Sequence, residues 1–338
     1  MIGWYVHHHG AGHLQRLVAV TRHLRTPVTA FSSAPRPAGF HGDWVPLERD
    51  DTPPLDRTSA TAGGRLHWVP EHHPGLQERH ATIAAWIATH RPRLFVTDVS
   101  VEVTTLVRLC GVPVVVAAML GDRHDPAHRL GRDVARALLA PWPGPPVAEQ
   151  DPARSPVVHV GAFSRFDGRP TSPAATRPGT VLVLWGSGGR DVTDEQFHAA
   201  QAATPGWTWE FRVPGSPLTT GATGGAAGED VWSALQRAEV VVVHGGHNAV
   251  AEVAAARRPA VVVAQERPFD EQLRRVDLLR AEGLVAVDGW PAADRWPDLL
   301  RQARSVGPGP WRRWAPGDGA ERAAAYLDSA ADRAGVPA

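Results

Sequence analysis

The chain has little of several features that define large classes of proteins. Its 338 residues include one cysteine, Cys110, so no disulfide framework is expected. It has no run of about 18 uninterrupted apolar residues, which a membrane-spanning helix needs. It has no lysine, its formal net charge is zero and it has no basic run, so we expect no nucleic-acid surface. The N-terminus enters the apolar segment 2–6 without a basic leader, so we expect a soluble, cytoplasmic protein.

What the sequence does contain indicates two domains. At 338 residues the chain exceeds one ordinary core, and two domains of about 150 residues each are the natural expectation. Residues 1–163 are predicted to form an N-terminal, acceptor-binding domain, and residues 164–179, rich in proline and small side chains, a linker. Residues 180–310 are predicted to form a C-terminal, nucleotide-sugar-binding domain, and residues 311–338 a helical segment that packs back on the first domain.

Short apolar runs alternate with helical patterns in both halves. In the first half we predict a strand at 2–8, a helix at about 13–24, a strand at Leu94–Asp98 and a helix at about 127–139. This alternation is typical of the α/β class, with two Rossmann-like, doubly wound parallel sheets. Ligands of such sheets bind at the carboxyl ends of the strands, so we expect the site in a cleft that the two domains face.

The most informative segment is a strand-to-helix turn with the sequence His244, Gly245, Gly246, His247, Asn248. It follows the apolar run 240–243, so a glycine pair should open a helix whose N–H groups and dipole favour a phosphate. Glu252 lies one turn beyond Asn248, within reach of a ribose. Glu271 and Gln272 open a later helix and can bind sugar hydroxyls. Taken singly, these polar residues are also typical of solvated helix positions, but together they indicate a nucleotide-sugar site.

A second glycine-rich turn joins the first strand to the first helix. Gly10 and Gly12 allow the backbone to turn tightly, and His13 stands at the start of the helix. An imidazole can accept a proton from a hydroxyl at neutral pH when a carboxylate orients it, and Asp98 ends a strand at the same edge of the sheet. The spacing equally allows His13 and Asp98 to be simple helix caps.

A third candidate is the loop after the strand that opens the second half, with Gly186, Ser187, Gly188 and Arg190. Its backbone and the Ser187 hydroxyl can bind the second side of a diphosphate, and Arg190 adds a positive charge. Glycine loops after strands are common, so this loop by itself is a weak indication.

The histidines give a weaker signal. His67, His72 and His73 lie in a segment that we expect either to contact the acceptor or to be a solvent-exposed loop. Histidines 7–9 should alternate between the faces of a strand and so cannot bind one metal ion together. The chain also has no Asp-x-Asp tripeptide to bind a divalent ion under a diphosphate. We therefore expect no metal and no cofactor other than the nucleoside-diphosphate sugar, a co-substrate.

These motifs resemble those of inverting glycosyltransferases of the two-Rossmann-domain B architecture. The nearest likeness is to the family 28 enzymes, exemplified by the N-acetylglucosaminyltransferase that forms lipid II, with a more distant likeness to UDP-glucosyl and glucuronosyl transferases. The resemblance covers nearly the whole chain in order and length. The residues that carry it are His244, Gly245, Gly246, Glu252, Pro259, Gln272 and Gly283, together with Gly10, Ala11, Gly12 and His13.

The resemblance implies a role for each of these groups. His13 is implied to be the catalytic base and Asp98 its orienting carboxylate. Glu252 is implied to bind the ribose of the nucleotide, and Glu271 and Gln272 the donor sugar. The implied diphosphate-binding residues are His244, Gly245, Gly246, His247 and Asn248.

Two residues depart from the family pattern. Ala249 replaces a hydroxyl side chain next to the phosphates, and Arg275 stands where an asparagine is common. The resemblance therefore implies the class of donor but not the sugar.

The expected function is inverting, metal-independent transfer of a sugar, most simply from a UDP-sugar, to a hydroxyl or amine of a small-molecule, natural-product or lipid-linked acceptor. Peripheral contact with a membrane stays open. One alternative is a nucleotide-sugar hydrolase, because the run from Gly12 through His13 to Arg16 is similar to the Gly-His-x-x-Arg turn of related hydrolases. Another is a non-catalytic, nucleotide-binding partner protein, to which Ala249 and Arg275 would point.

Overall fold

A computed structural model describes residues 1–53, 57–144, 155–186, 188–219 and 227–334 of the chain. The chain forms two compact units. The first contains Met1–Met119, Arg123–Val160 and the segment that begins at Gly319, and the second contains Leu120–Asp122 and Gly161–Asp318. The segment 164–179 is part of the second unit.

The first unit is built on a parallel, seven-stranded sheet with the strand order β3-β2-β1-β4-β5-β6-β7. Its strands are β1 (Ile2–Tyr5), β2 (Val28–Ser32), β3 (Asp43–Pro46), β4 (Leu94–Asp98), β5 (Val114–Ala117), β6 (Ala137–Ala140) and β7 (Val157–His159). The connecting helices are α1 (Ala11–Thr21), α2 (Pro74–His90), α3 (Val101–Leu109) and α4 (Pro126–Val134). Every residue of β1, β2, β4 and β6 is buried, as expected for strands that helices cover on both faces.

The helix predicted at 127–139 is wrong in its second half. Helix α4 ends at Val134, Ala135 is extended, and Ala137–Ala140 form the buried strand β6 between β5 and β7. Short apolar runs of this kind fit a buried helix or a buried strand equally well by periodicity, and here pairing with β5 and β7 makes the run a strand.

The second unit is built on a parallel, five-stranded sheet with the order β12-β11-β10-β8-β9. Its strands are β8 (Thr180–Leu184), β9 (Thr208–Arg212), β10 (Val240–His244), β11 (Ala260–Val263) and β12 (Val285–Val287). Its α-helices are α5 (Asp194–Ala202), α6 (Ala227–Arg237), α7 (His247–Ala256), α8 (Glu271–Ala281), α9 (Trp296–Ser305) and α10 (Gly309–Trp314). The two parallel sheets with their interleaved helices confirm the predicted α/β class.

The last helix, α11 (Gly319–Ala334), returns to the first unit, where it packs against α1 and β4. The buried carboxylate of Asp328 accepts hydrogen bonds from the backbone N–H groups of Arg25, at 3.1 Å, and Thr26, at 3.0 Å. These bonds tie the helix to the turn that precedes β2. Within the described residues no helix is long and apolar enough to cross a membrane.

Candidate active site

The turn between β1 and α1 places His13 beside the sheet. Strand β1 ends at Tyr5, and α1 begins after Gly10, whose φ of 89° lies in the left-handed region that favours glycine. His13 therefore lies in the first turn of the helix, next to Gly12. Because β1 and β4 are neighbours in the sheet, this turn lies beside the carboxyl end of β4, where Asp98 stands.

The structure brings His13 and Asp98 together. The Nδ1 atom of His13 lies 3.1 Å from Oδ1 of Asp98, a side chain with no exposed surface. Arg16, one turn along α1, places Nη1 2.5 Å from the same oxygen. Burial by itself raises the pKa of Asp98, but the charges of Arg16 and His13 outweigh it and hold this pKa at about 2. A fixed, ionised carboxylate thus adjoins the imidazole, the arrangement that orients a general base.

The alternative of simple helix capping fits these two residues poorly. Helix α3 is capped by Ser100, whose hydroxyl accepts a hydrogen bond from the N–H of Val103, and not by Asp98. The cap position of α1 is Gly10, and His13 lies inside the helix.

Histidines 7–9 do not alternate along a strand, because β1 stops at Tyr5 and the chain bends at these residues. The rings of His7 and His8 stack at 5.1 Å, and the ring of His7 lies 5.7 Å from that of His13. Burial, helped by the neighbouring histidines, lowers the pKa of His7 to about 3, so its ring is neutral at physiological pH. His8 and His9 both approach Asp51, whereas His7 is not part of this group.

The first unit holds a cavity of about 490 Å³ next to this histidine run. Of the three acceptor candidates in the following loop, His67 lines the cavity, whereas His72 is exposed and does not. His73 is buried and caps α2 by accepting a hydrogen bond from the N–H of Leu76 at 3.3 Å, which is a structural role. Gly10 and Gly12 shape the turn before α1 and do not line this cavity.

In the second unit, the turn from β10 to α7 has the geometry of an anion cradle. A Cβ atom at Gly246 would lie 2.3 Å from Cε1 of His244 and would displace that ring, and a Cβ atom at Gly245 would lie 3.2 Å from Gln272. His247 and Asn248 are the first two residues of α7. A helix that starts directly after a buried strand offers N–H groups and a positive dipole end to an anion.

His244 has a defined protonation state in this turn. Its Nδ1 atom accepts a hydrogen bond from the backbone N–H of Gly246 at 3.0 Å, so the hydrogen of the neutral ring sits on Nε2. Burial, and then the charges of Arg267 and Arg275, lower its pKa to about 4. His244 is therefore a neutral hydrogen-bond donor at physiological pH, suited to a phosphate oxygen.

Glu252 lies on the same helix and is almost completely buried. One of its carboxylate oxygens accepts a hydrogen bond from Nε of Arg165 at 2.8 Å. Burial raises the pKa of Glu252, although the Arg165 charge opposes this effect. The carboxylate is thus held in place by Arg165, a residue that no motif in the sequence indicated.

Side chains of helix α8 hold the turn between β10 and α7 in place. Arg275 is buried, and it donates from Nη1 to the carbonyl oxygen of Gly245 at 2.5 Å and from Nη2 to Glu271 at 2.9 Å. The amide oxygen of Gln272 accepts a hydrogen bond from the backbone N–H of Gln265 at 3.0 Å. The unusual arginine at position 275 therefore fixes both the glycine turn and the carboxylate of Glu271.

The loop after β8 reaches the same turn, since a Cβ atom at Gly186 would lie 3.1 Å from Nε2 of His244. Ser187 lies outside the described residues. Gly188 offers its carbonyl oxygen to an arginine of a neighbouring loop. The charge of Arg190 is matched by an ion pair with Asp194, the first residue of α5.

That neighbouring arginine, Arg267, was missed by the sequence analysis. Its guanidinium donates to the carbonyl oxygens of Gly188, at 3.2 Å, and Gly189, at 3.1 Å, and pairs with Asp191 at 3.2 Å. It follows β11 in the chain, and its charge acts on His244. The only feature of the sequence that could have indicated Arg267 is its place in the loop after a parallel strand.

Comparison with known proteins defines the fold. No protein-family model matches the chain, and no curated protein matches it. Among solved structures, the glycosyltransferase of kitacinnamycin is 17% identical with a TM-score of 0.69, covering 97% of this chain and 98% of that one. MurG of Acinetobacter baumannii is 13% identical with a TM-score of 0.63, covering 98% and 99%.

A third solved structure extends this likeness. Phytolacca americana UGT2, solved with UDP-2-fluoro-glucose and pterostilbene, is 13% identical with a TM-score of 0.57, and the match covers 98% of this chain and 94% of that one. The chain therefore has the two-Rossmann-domain fold of these glycosyltransferases.

Proposed function

We propose that the protein is an inverting glycosyltransferase that moves a sugar from a nucleoside diphosphate to a hydroxyl or amine of an organic acceptor. The observation that carries this proposal is the contact between His13 and the buried, ionised Asp98. A carboxylate held in this way orients the imidazole and stabilises the charge that it gains when it accepts a proton.

The chemistry follows from the groups in each unit. His13 takes the proton of the acceptor as its oxygen or nitrogen attacks the anomeric carbon from the face opposite the diphosphate. The bond between the anomeric carbon and the diphosphate oxygen breaks, and the electron pair leaves with the diphosphate. The Nε2–H group of His244 and the start of α7 stabilise the negative charge on that leaving group, with no metal ion at the diphosphate.

We propose UDP as the nucleotide and a small natural product as the acceptor. The UDP-sugar bound to Phytolacca americana UGT2 and the natural-product enzyme among the structural neighbours support these choices. The cavity of about 490 Å³ beside the histidine run has room for an organic acceptor, which supports transfer over hydrolysis.

Nucleotide binding is tested first, by thermal shift of the purified protein with UDP, TDP and GDP. We expect the largest stabilisation from UDP. UDP-sugars and a library of natural-product aglycones are then combined, and products are detected by mass spectrometry. The anomeric configuration of the product, read by NMR, should be opposite to that of the donor.

His13→Ala should keep the UDP-induced thermal shift and lose transfer by at least about 100-fold. His23→Ala, at an exposed histidine just beyond α1, is the matched control and should behave like the unaltered protein. Transfer that survives in His13→Ala would exclude the proposed base. Rapid, stoichiometric release of free sugar from the donor alone would identify a hydrolase instead, and a UDP-induced shift without turnover of any pair would indicate a binding protein.

A further inference from the structure

Three potential metal ligands converge beside the cavity of the first unit. The Nε2 atoms of His8 and His9 lie 3.5 and 3.0 Å from Oδ2 of Asp51. One ligand atom from each of the three residues lies within 4.8 Å of the other two. All three residues line the cavity of about 490 Å³.

The environment of the His8 side chain is the observation that indicates a ligand. Its side chain is only 4% exposed, and neither ring nitrogen has a hydrogen-bond partner within the described part of the chain. A buried imidazole without a hydrogen bond costs free energy, and such groups in native proteins call for an explanation. A ligand that accepts a nitrogen lone pair removes this cost.

We propose that His8, His9 and Asp51 bind a divalent transition-metal ion such as Zn²⁺. Zinc bonds of about 2.0–2.2 Å to nitrogen and oxygen place neighbouring tetrahedral ligands about 3.3 Å apart, between the two distances measured here. Two imidazoles and one carboxylate suit zinc and its neighbours, whereas Mg²⁺ and Ca²⁺ take oxygen ligands.

The surroundings of Asp51 are compatible with this site. Arg49 donates to both carboxylate oxygens, at 2.8 and 2.6 Å, and so fixes their orientation. Each carboxylate oxygen has two lone pairs, which leaves Oδ2 one for the ion. Hydrogen bonds of this kind to a ligating carboxylate orient it towards its metal.

A second cluster, formed by His67, Asp125 and His128, is a less suitable metal site. Arg123 donates from Nη1 to Nε2 of His128 at 2.6 Å, so the ring hydrogen lies on Nδ1 and points at Asp125. The Arg123 bond thus holds the ring in the tautomer whose carboxylate-facing nitrogen carries a hydrogen and has no lone pair for an ion. In the described part of the chain no arginine bonds to the ring of His9, so that ring is free to change tautomer when it binds an ion.

Three protein ligands leave a tetrahedral ion with an open position. On the proposed transferase function, on which this step rests, that position takes an oxygen of the acceptor, such as a phenolate, hydroxyl or carboxylate. The ring of His7 stacks on that of His8 and lies 5.7 Å from the ring of His13, so one imidazole ring lies between the ligand His8 and the base. The ion would thereby select acceptors that carry a metal-binding oxygen in addition to the reacting hydroxyl.

Metal binding by the EDTA-treated, full-length protein tests the site without donor or acceptor. Isothermal titration with Zn²⁺ should give one ion per chain, and Co²⁺ should give the visible absorption of a tetrahedral complex. His9→Ala and Asp51→Asn should each weaken binding by more than about tenfold, since even outer-shell changes cost that much. His9 is exposed, so its variant should fold like the unaltered protein even if a variant of His8, whose side chain is only 4% exposed, does not.

His23→Ala and His67→Ala serve as controls and should bind Zn²⁺ like the unaltered protein. Binding that survives in both His9→Ala and Asp51→Asn, or that disappears in His67→Ala, would overturn the assignment. Failure of transfer with every acceptor, together with site-dependent Zn²⁺ binding, would reject the transferase but leave the metal site in place. Transfer at an unchanged rate with the metal removed would reject its role towards the acceptor.

Discussion

Replacing Asp98 by asparagine separates the structural role of this residue from its role in catalysis. The pKa of Asp98 is about 2, compared with its ordinary value of 3.8. This difference corresponds to about 2 kcal/mol of stability that is present above about pH 4 and is lost as the pH falls towards 2. Asp98→Asn removes this contribution and leaves the buried guanidinium of Arg16 unpaired, which raises the cost to between about 2 and 5 kcal/mol.

The double variant Asp98→Asn, Arg16→Gln is compared with the single variant in the same experiment. Urea unfolding at pH 7 should show the single variant destabilised and the double variant partly restored, because no buried charge remains unpaired. Release of UDP from the donor and acceptor pair found by mass spectrometry should fall by about 100-fold or more in both variants, since neither orients His13. Unchanged unfolding of Asp98→Asn would refute the assigned pairing. Restored transfer in the double variant would show that Asp98 acts on stability alone.

Other predictions concern the anion cradle. Because burial lowers the pKa of His244 to about 4, folding stability should fall by up to about 3 kcal/mol as the pH drops from about 6.5 to 4, and His244→Gln should remove this part of the slope in urea unfolding. Arg275→Met leaves the carbonyl of Gly245 and the carboxylate of Glu271 unpaired, so it should lower stability by about 3 kcal/mol in the same assay. Gly246→Ala places a Cβ atom 2.3 Å from Cε1 of His244, so UDP affinity by titration calorimetry should fall by about tenfold or more. A slope retained in His244→Gln, or unchanged UDP affinity in Gly246→Ala, would contradict the geometry assigned to this turn.

The fold was largely predictable, because parallel strands covered on both faces leave continuous apolar runs. Strands β4 and β10 are predicted closely by such runs. The error at 127–139 arose where a helix and a strand follow each other without a strong separating signal. Only pairing with β5 and β7 identifies the second half as a strand, and pairing partners are not visible in one local segment.

The candidate site was predictable only in part. The glycines and His13 could be predicted because they lie in a turn that joins a strand to a helix. Asp98 could be predicted because it ends a strand at the same edge of the sheet. Arg165 and Arg267 were missed because their partners lie far away in the sequence, 87 residues away for Arg165. The sequence pattern also gave no indication of the bend at histidines 7–9, because a run of identical residues has no period from which to read the end of a strand.

The position of α11 has a consequence for how the protein is made. The first unit is assembled from both ends of the chain, with Asp328 holding the backbone at Arg25 and Thr26. On the ribosome, the second unit is complete when Asp318 emerges, whereas the first unit still lacks its final helix. The unit that is translated first therefore finishes folding last. A fragment that ends at Val160 would lack α11 and would leave exposed the surface of α1 and β4 that this helix covers. A tag fused after α11 is attached to the first unit.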